Sequence, residues 1–204
     1  MFNIIYIMAN TNNDIIVTIE KNEKLGLDAT ELLEFAKQIK QNNVSSVEIN
    51  DVIAAKLLQL IQKNNEGKCI NEGYALKNST NLVHQSYAWF PSESLDAHIN
   101  FYCTYTIKIC MAIEQSIINV KITHKNVIGM TADYLLENDN SPFLILIPIT
   151  IMNERMSNCD DAESDQMQYI YDNLEIGQYV NIIILKSTYK AHQSQITVIG
   201  CIHV

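Results

Sequence analysis

Several chemistries are excluded by what this sequence lacks. It holds only six glycines and three prolines in 204 residues, and no GxxxxGK[ST] run occurs, so a P-loop is absent. No Gly-x-Ser-x-Gly elbow and no His-Glu-x-x-His run is found either. The five histidines, His84, His98, His124, His192 and His203, are scattered, and no catalytic residue is expected. The longest apolar stretches, "FLILIP" (143–148) and "YVNIIIL" (179–185), fall far short of the roughly 20 residues that cross a bilayer. The start, "MFNIIYIMANTNND", has no basic region ahead of an apolar core and reads as a strand rather than a signal peptide.

Basic charge is also scarce. Fourteen Lys and Arg stand against 23 Asp and Glu, a net of −9. This argues against free, non-specific nucleic-acid binding, which needs a basic surface. The cysteines, Cys69, Cys103, Cys110, Cys159 and Cys201, are odd in number and form no CxxC, which fits a reducing compartment better than a disulfide framework. Cys201 and His203 make one close pair, without the second pair that a zinc site needs. The run Asp160, Asp161, Glu163, Asp165 lacks the glycine and terminal glutamate of a calcium loop, so 158–168 reads as an exposed acidic loop. No metal and no cofactor is expected.

What is present divides into two halves of different rhythm. Strands are expected over 3–9 and 14–21, paired across "NTNN". Asp28 with Glu31 three residues on resembles a capping box, and opens a helix over 28–41. Asn50 can cap a second helix over 51–64, where Ile53, Leu57, Leu60 and Ile61 recur at spacings of three and four; Gly67 ends it. "YALKNSTNLVHQSYAWF" (74–90) reads as two strands or one bent near "NST". From residue 98 the pattern becomes alternating: 98–113, 115–136 with a turn at Asn126, 142–152, 179–190 and 195–204. Five or six short strands with no helix among them imply a small closed barrel, for which the five-stranded oligonucleotide-binding barrel is a candidate. The fold class is therefore an α+β N-terminal domain over 1–92 and an all-β barrel domain over 93–204.

The order of these elements resembles the larger stalk subunit of multisubunit DNA-directed RNA polymerase: the seventh subunit of polymerase II, its archaeal counterpart and the branch found in large DNA viruses. Four stretches carry the likeness: "LLQLIQKNNEGKCINEGYAL" (57–76), "INFYCTYTIKIC" (99–110) as a first barrel strand, "VKITHKNVIGMTA" (120–132), and "LEIGQYVNIIILKSTYKAHQSQITVIGCI" (174–202). Together they cover roughly residues 14–202. The segment "MAIEQSIIN" (111–119) departs from the family, lacking the proline and glycine usual there, and the 28–41 segment is longer than a minimal member needs. The Asn- and Ile-rich composition leans toward the viral branch.

The resemblance implies a non-catalytic subunit with an α+β tip domain and an S1-like barrel. Its partners would be the large polymerase subunits, a small stalk subunit and nascent RNA, with no membrane. Its place would be the host cytoplasm, in a viral factory, or the virion. In "EGKCINEGYALKN" (66–78), Gly67, Lys68, Cys69, Gly73 and Tyr74 are candidates for docking on the core or the partner; a plain helix-to-strand connection explains the same turn. RNA contact requires aromatic faces and cations on one surface. The pool is Tyr102, Lys108, Lys121, His124, Lys125, Tyr134, Lys186, Tyr189 and Lys190. Alternation sets Lys121 and Lys125 on one strand face and Lys186 and Lys190 on another, which makes Lys121, His124, Lys125, Lys186, Tyr189 and Lys190 the RNA candidates. Ordinary solvated strand-end charges account for them equally. Residues 95–204 carry six Lys and Arg against twelve Asp and Glu, a net of −6, so any RNA contact would be local and weak. Two other readings stay open: a free-standing nucleic-acid-binding barrel, and a small enzyme with a cleft between the halves.

Overall fold

The computed structural model describes residues 5–7, 15–28, 30, 33–34, 37, 49–89, 98–136 and 141–204. The elements, in chain order, are β1 (Ile5–Ile7), β2 (Ile16–Asp28), α1 (Ile49–Asn65), β3 (Cys69–Ile70), β4 (Gly73–Ala75), β5 (Asn81–Gln85), β6 (His98–Cys110), β7 (Ile117–Asn126), β8 (Gly129–Asp133), β9 (Phe143–Pro148), α2 (Ile149–Met156), α3 (Asp161–Asn173), β10 (Tyr179–Thr188) and β11 (Ile196–Ile202). They group into two compact units, the first built mainly from residues 17–67 and 75–109, the second from 68–74 and 110–204.

In the first unit β1 runs antiparallel to β2, with Ile5 opposite Glu20 and Ile7 opposite Thr18. β6 neighbours β2, and β5 pairs antiparallel with β6, Leu82 opposite Tyr105, with a register slip before His84. The period-2 alternation of β6 buries Phe101, Cys103, Tyr105, Ile107 and Ile109 and leaves Tyr102 exposed. Ile19, Leu25 and Leu27 of β2 and Val52, Leu57 and Ile61 of α1 are buried with them. Each fully buried Ile or Leu contributes about 1.5–3 kcal/mol. The buried Tyr105 hydroxyl donates to Glu23 Oε2 at 2.9 Å and accepts from Asn65 Nδ2 at 3.4 Å, which leaves no orphaned phenol in the core.

The second unit is a closed, mixed five-stranded barrel in the order β10-β11-β9-β8-β7. β7, β8 and β9 form a meander, and β10 returns beside β7, a Greek-key order. β11 then lies antiparallel to β10 and parallel to β9. Inward positions alternate as the pleat requires: Ile118, Val120 and Ile122; Phe143, Ile145 and Ile147; Val180, Ile182 and Ile184; Ile196 and Val198 are all buried. All but Phe143 are β-branched, and β-branched and aromatic residues suit a pleated surface buried on one side. Bulges interrupt β7 between Ile122 and His124 and β10 between Ile184 and Lys186; such bulges sharpen the curvature that closure demands. The barrel is compatible with the oligonucleotide-binding type.

Several sequence expectations are corrected. β6, expected as the first barrel strand, pairs in the first unit's sheet, because β7 already pairs on both sides and closure leaves no edge for a sixth strand. The second half contains helices after all. The segment 142–152 is a strand only to Pro148 and then turns into α2, and the supposed acidic loop 158–168 mostly belongs to α3. Asp160 caps α3, its side chain accepting from Glu163 N at 2.9 Å, and Met167, Tyr171 and Leu174 are buried at helical spacing. Asn50 sits inside α1, which begins at Ile49, rather than capping it. Most of the 28–41 helix and the "NTNN" turn lie outside the described residues; Asp28 accepts from Thr30 N at 2.7 Å. The bend near "NST" is present between β4 and β5.

Gly129 enters β8 at φ +153, and a Cβ there would stand 2.3 Å from the Ile147 carbonyl oxygen; Gly177, at φ +92, has nothing within 4 Å. Gly129→Ala is therefore expected to lower the stability of this unit by at least about 3 kcal/mol, and Gly177→Ala by only about 1–2 kcal/mol of backbone strain. Urea unfolding midpoints compare the two directly.

Candidate nucleic-acid interface

The lysines expected to face RNA do not converge. Across the closing pair, Tyr179 lies opposite Lys121 and Ile183 opposite Ile117. β10 runs on from there toward Lys186, seven residues past Tyr179, so the two positions are separated by roughly 23 Å at about 3.3 Å per residue. Lys121 and His124 stand near one end of the barrel, Lys186, Tyr189 and Lys190 near the other. Between them the outward residues of β8 and β9 are Thr131, Asp133, Leu144, Leu146 and Pro148. That face carries no aromatic ring and no cation.

Lys125 has a structural partner. Its ammonium donates to the carbonyl oxygens of Tyr171 at 2.6 Å, Asp172 at 3.1 Å and Leu174 at 3.1 Å, and lies 5.2 Å from the Tyr171 ring centroid. These carbonyls are the unpaired acceptors at the end of α3, where the helix dipole favours a cation. All three ammonium protons are used, so a phosphate could take Lys125 only by breaking those bonds. Tyr189 is similarly engaged, its hydroxyl donating to the Asn71 carbonyl at 3.0 Å. Lys186 and Lys190 are exposed, as is His124, while Lys121 is half-buried. Of the wider pool, Tyr134 packs against Phe143 at 5.6 Å between centroids, and Tyr102 and Lys108 belong to the first unit.

The Gly-Lys-Cys turn is a connection with its own supports. Gly67, at φ +73, donates to Ala75 O at 2.9 Å. Glu66, not singled out from the sequence, accepts from the backbone N–H groups of Asn78, Ser79 and Thr80 at 2.8–3.1 Å. β3 and β4 form a tight hairpin, Ile70 opposite Gly73. Cys69 N donates to Gln193 O, and His192 N donates to Cys69 O, each at 2.7 Å. The hairpin is thus held by the β10–β11 loop of its own unit. Cys69, Gly73 and Tyr74 are buried; Gly67 and Lys68 are half-buried. A partner could reach Lys68 and the hairpin tip at Asn71 and Glu72, but not the Cys69 or Tyr74 side chains.

An open groove of about 210 Å³ lies beside one candidate residue, with a lining that includes His124, Asn126, Ile128, Thr131, Leu146 and Pro148. Its rim is the β7–β8 turn, where Asn126 Oδ1 accepts from Ile128 N at 2.9 Å and Gly129 N at 3.1 Å. This turn holds Val127 and Ile128 out to solvent, 93% and 74% exposed.

Among the described residues no group of three or more His, Cys, Asp or Glu could hold a metal ion, and no helix is long and apolar enough to cross a membrane. Cys201 lies buried with its sulfur 3.3 Å from Met152 Sδ. Burial pushes the Cys69 and Cys103 thiols up to about 11 and Cys110 up to about 12. No protein-family model and no curated protein matches the chain.

Two outcomes follow. Lys125→Met is expected to lower stability by about 2 kcal/mol, since hydrogen bonds from a charged donor contribute roughly 1.5–3 kcal/mol, and thermal unfolding measures the loss. The thiols give a pH dependence. Their folded-state values lie above the unfolded value near 9, so the folded chain holds its thiol protons longer. Stability is level below that value and falls as pH rises from 9 toward 11–12. Urea midpoints across this range should decline, and Cys110→Ala should reduce the slope.

Proposed function

We propose that the chain is a non-catalytic subunit of a multisubunit DNA-directed RNA polymerase, in the role of the larger stalk subunit and of the branch that large DNA viruses encode. The observation that carries this reading is the barrel's connectivity. A three-strand meander, helices between the third and fourth strands, and a fifth strand parallel to the third are compatible with an oligonucleotide-binding-type barrel. It follows a strand–helix–strand unit, which is the order that the resemblance requires.

The charge pattern supports a tethered role over a free one. A free nucleic-acid-binding barrel would need cations and rings on the outer face of its second and third strands. Here that face is Thr131, Asp133, Leu144, Leu146 and Pro148, and Lys125 is committed to a helix end. Lys186 and Lys190 could touch transcript only where a larger machine presents it at high effective concentration. In this reading the large polymerase subunits and a small stalk subunit hold the chain. Lys68 and the hairpin tip beside it are the accessible part of the docking turn.

Affinity purification of the tagged chain from its native source tests the reading. Recovery of two very large polymerase subunits in stoichiometric amount is expected. Recovery of the chain alone, or with metabolic enzymes, would refute it.

A further inference from the structure

Trp89 is the only tryptophan in the chain, and it lies in the first unit. A backbone pair fixes it beside β6: Trp89 N donates to Asn100 O at 3.1 Å and Asn100 N to Trp89 O at 3.0 Å. Its ring stacks on Tyr102, with centroids 5.9 Å apart and planes 14° from parallel. Lys24 Nζ stands 4.5 Å from the centre of the Trp89 ring. A cation, an indole and a phenol thus form one stack, and Tyr102 remains 57% exposed.

The surroundings are polar. Alternation along β6 turns Tyr102, Thr104, Thr106 and Lys108 away from the core, and β2 turns Glu20, Asn22 and Lys24 the same way. Asn22 Oδ1 accepts from the Thr104 hydroxyl at 2.5 Å, which ties the two rows together. β5 sets His84 opposite Thr104. Tyr87, two residues before Trp89, is 97% exposed. Among the described residues the face offers open aromatic surface, the lysines Lys24 and Lys108 and the carboxylate Glu20, with Val83 of β5 the one large aliphatic side chain exposed on these three strands. A protein hot spot would bury such rings among apolar neighbours. Rings left open among hydroxyls, amides and cations match the stacking platforms that take unpaired bases.

We propose that this sheet face binds single-stranded nucleic acid, with an unpaired base stacked on the open side of Tyr102, Trp89 and Lys24 backing that ring, and Lys108 meeting a phosphate farther along β6. Lys108 lies six residues from Tyr102, about 20 Å along the strand, within reach of the same short oligonucleotide. The proposal needs only the geometry of the first unit and stands whether or not the polymerase reading holds. It also supplies what the β8–β9 face of the barrel lacks, a ring and a cation on one surface.

Trp89 makes the test direct. The full chain is titrated with oligouridylate, with oligothymidylate and with a duplex of equal length, at low salt, following Trp89 emission and the polarisation of labelled oligonucleotide. Saturable quenching by single strands and little by duplex is expected; the two single strands distinguish RNA from DNA as the preferred source. Tyr102→Ala should weaken binding roughly 5- to 150-fold, the range for removing one base–aromatic stack, while Tyr102→Phe should stay within about threefold of the native chain. Val127→Ser, at an exposed position of the β7–β8 turn, should leave binding unchanged. Circular dichroism verifies that each variant is folded. The proposal is overturned by unchanged Trp89 emission with every single strand, by equal binding of duplex, or by a folded Tyr102→Ala chain that binds as the native one does. Any of these would return the stack to a protein contact or a purely structural role.

Discussion

The antiparallel pairing of β7 with β10 is the contact on which the second unit depends. It joins the two ends of a five-strand sheet, from Tyr179 opposite Lys121 to Ile183 opposite Ile117, and so removes every free edge. Without it the inward rows of isoleucine and valine would open to water on one side, and two strands would present unpaired amides and carbonyls. The remaining features of the unit follow from closure. Bulges at Thr123 and Leu185 supply curvature, Gly129 admits the close approach of β9, and Lys125 fastens the end of α3 to β7.

Closure also decides what the barrel can offer a partner. With no edge strand, another chain cannot add to the sheet and must bind through side chains or loops. The side chains on the β8–β9 face are small, apolar or acidic, and the cations are divided between the two barrel ends. A net of −6 over residues 95–204 opposes any broad approach of phosphate. The stacked Lys24, Trp89 and Tyr102 of the first unit have the composition that the barrel face lacks. The proposed division of labour makes the barrel an edgeless body and gives base contact to the solvated sheet face.

Much of the fold was legible in the sequence because period-2 alternation survives in β6, β7, β9 and β10, and because Leu57 and Ile61 mark α1 at helical spacing. What misled was composition. The acidic run 158–168 reads as loop if its charges are weighed alone, yet Asp160 with Glu163 has capping-box spacing, and Met167, Ile170, Tyr171 and Leu174 fall at i, i+3, i+4 and i+7. The periodic signal was there and the charge obscured it. β6 was misplaced for a different reason: alternation reports that a strand has one buried face, but not which sheet it joins. The candidate site was less legible still. Lys125 and Lys186 look alike in sequence, and only the arrival of a helix end beside β7 separates a structural lysine from a solvated one. The stack at Trp89 joins residues far apart in the chain, so no local pattern reveals it.

Closure of the barrel can be measured strand by strand through native-state amide hydrogen exchange, since a paired strand in a closed barrel opens only with its whole unit. The amides that β7 and β10 exchange in pairing, within 117–121 and 179–183, should be protected as strongly as those of β8 and β9. Rapid exchange confined to these two strands, with the others protected, would show an open sheet with free edges and would contradict the account.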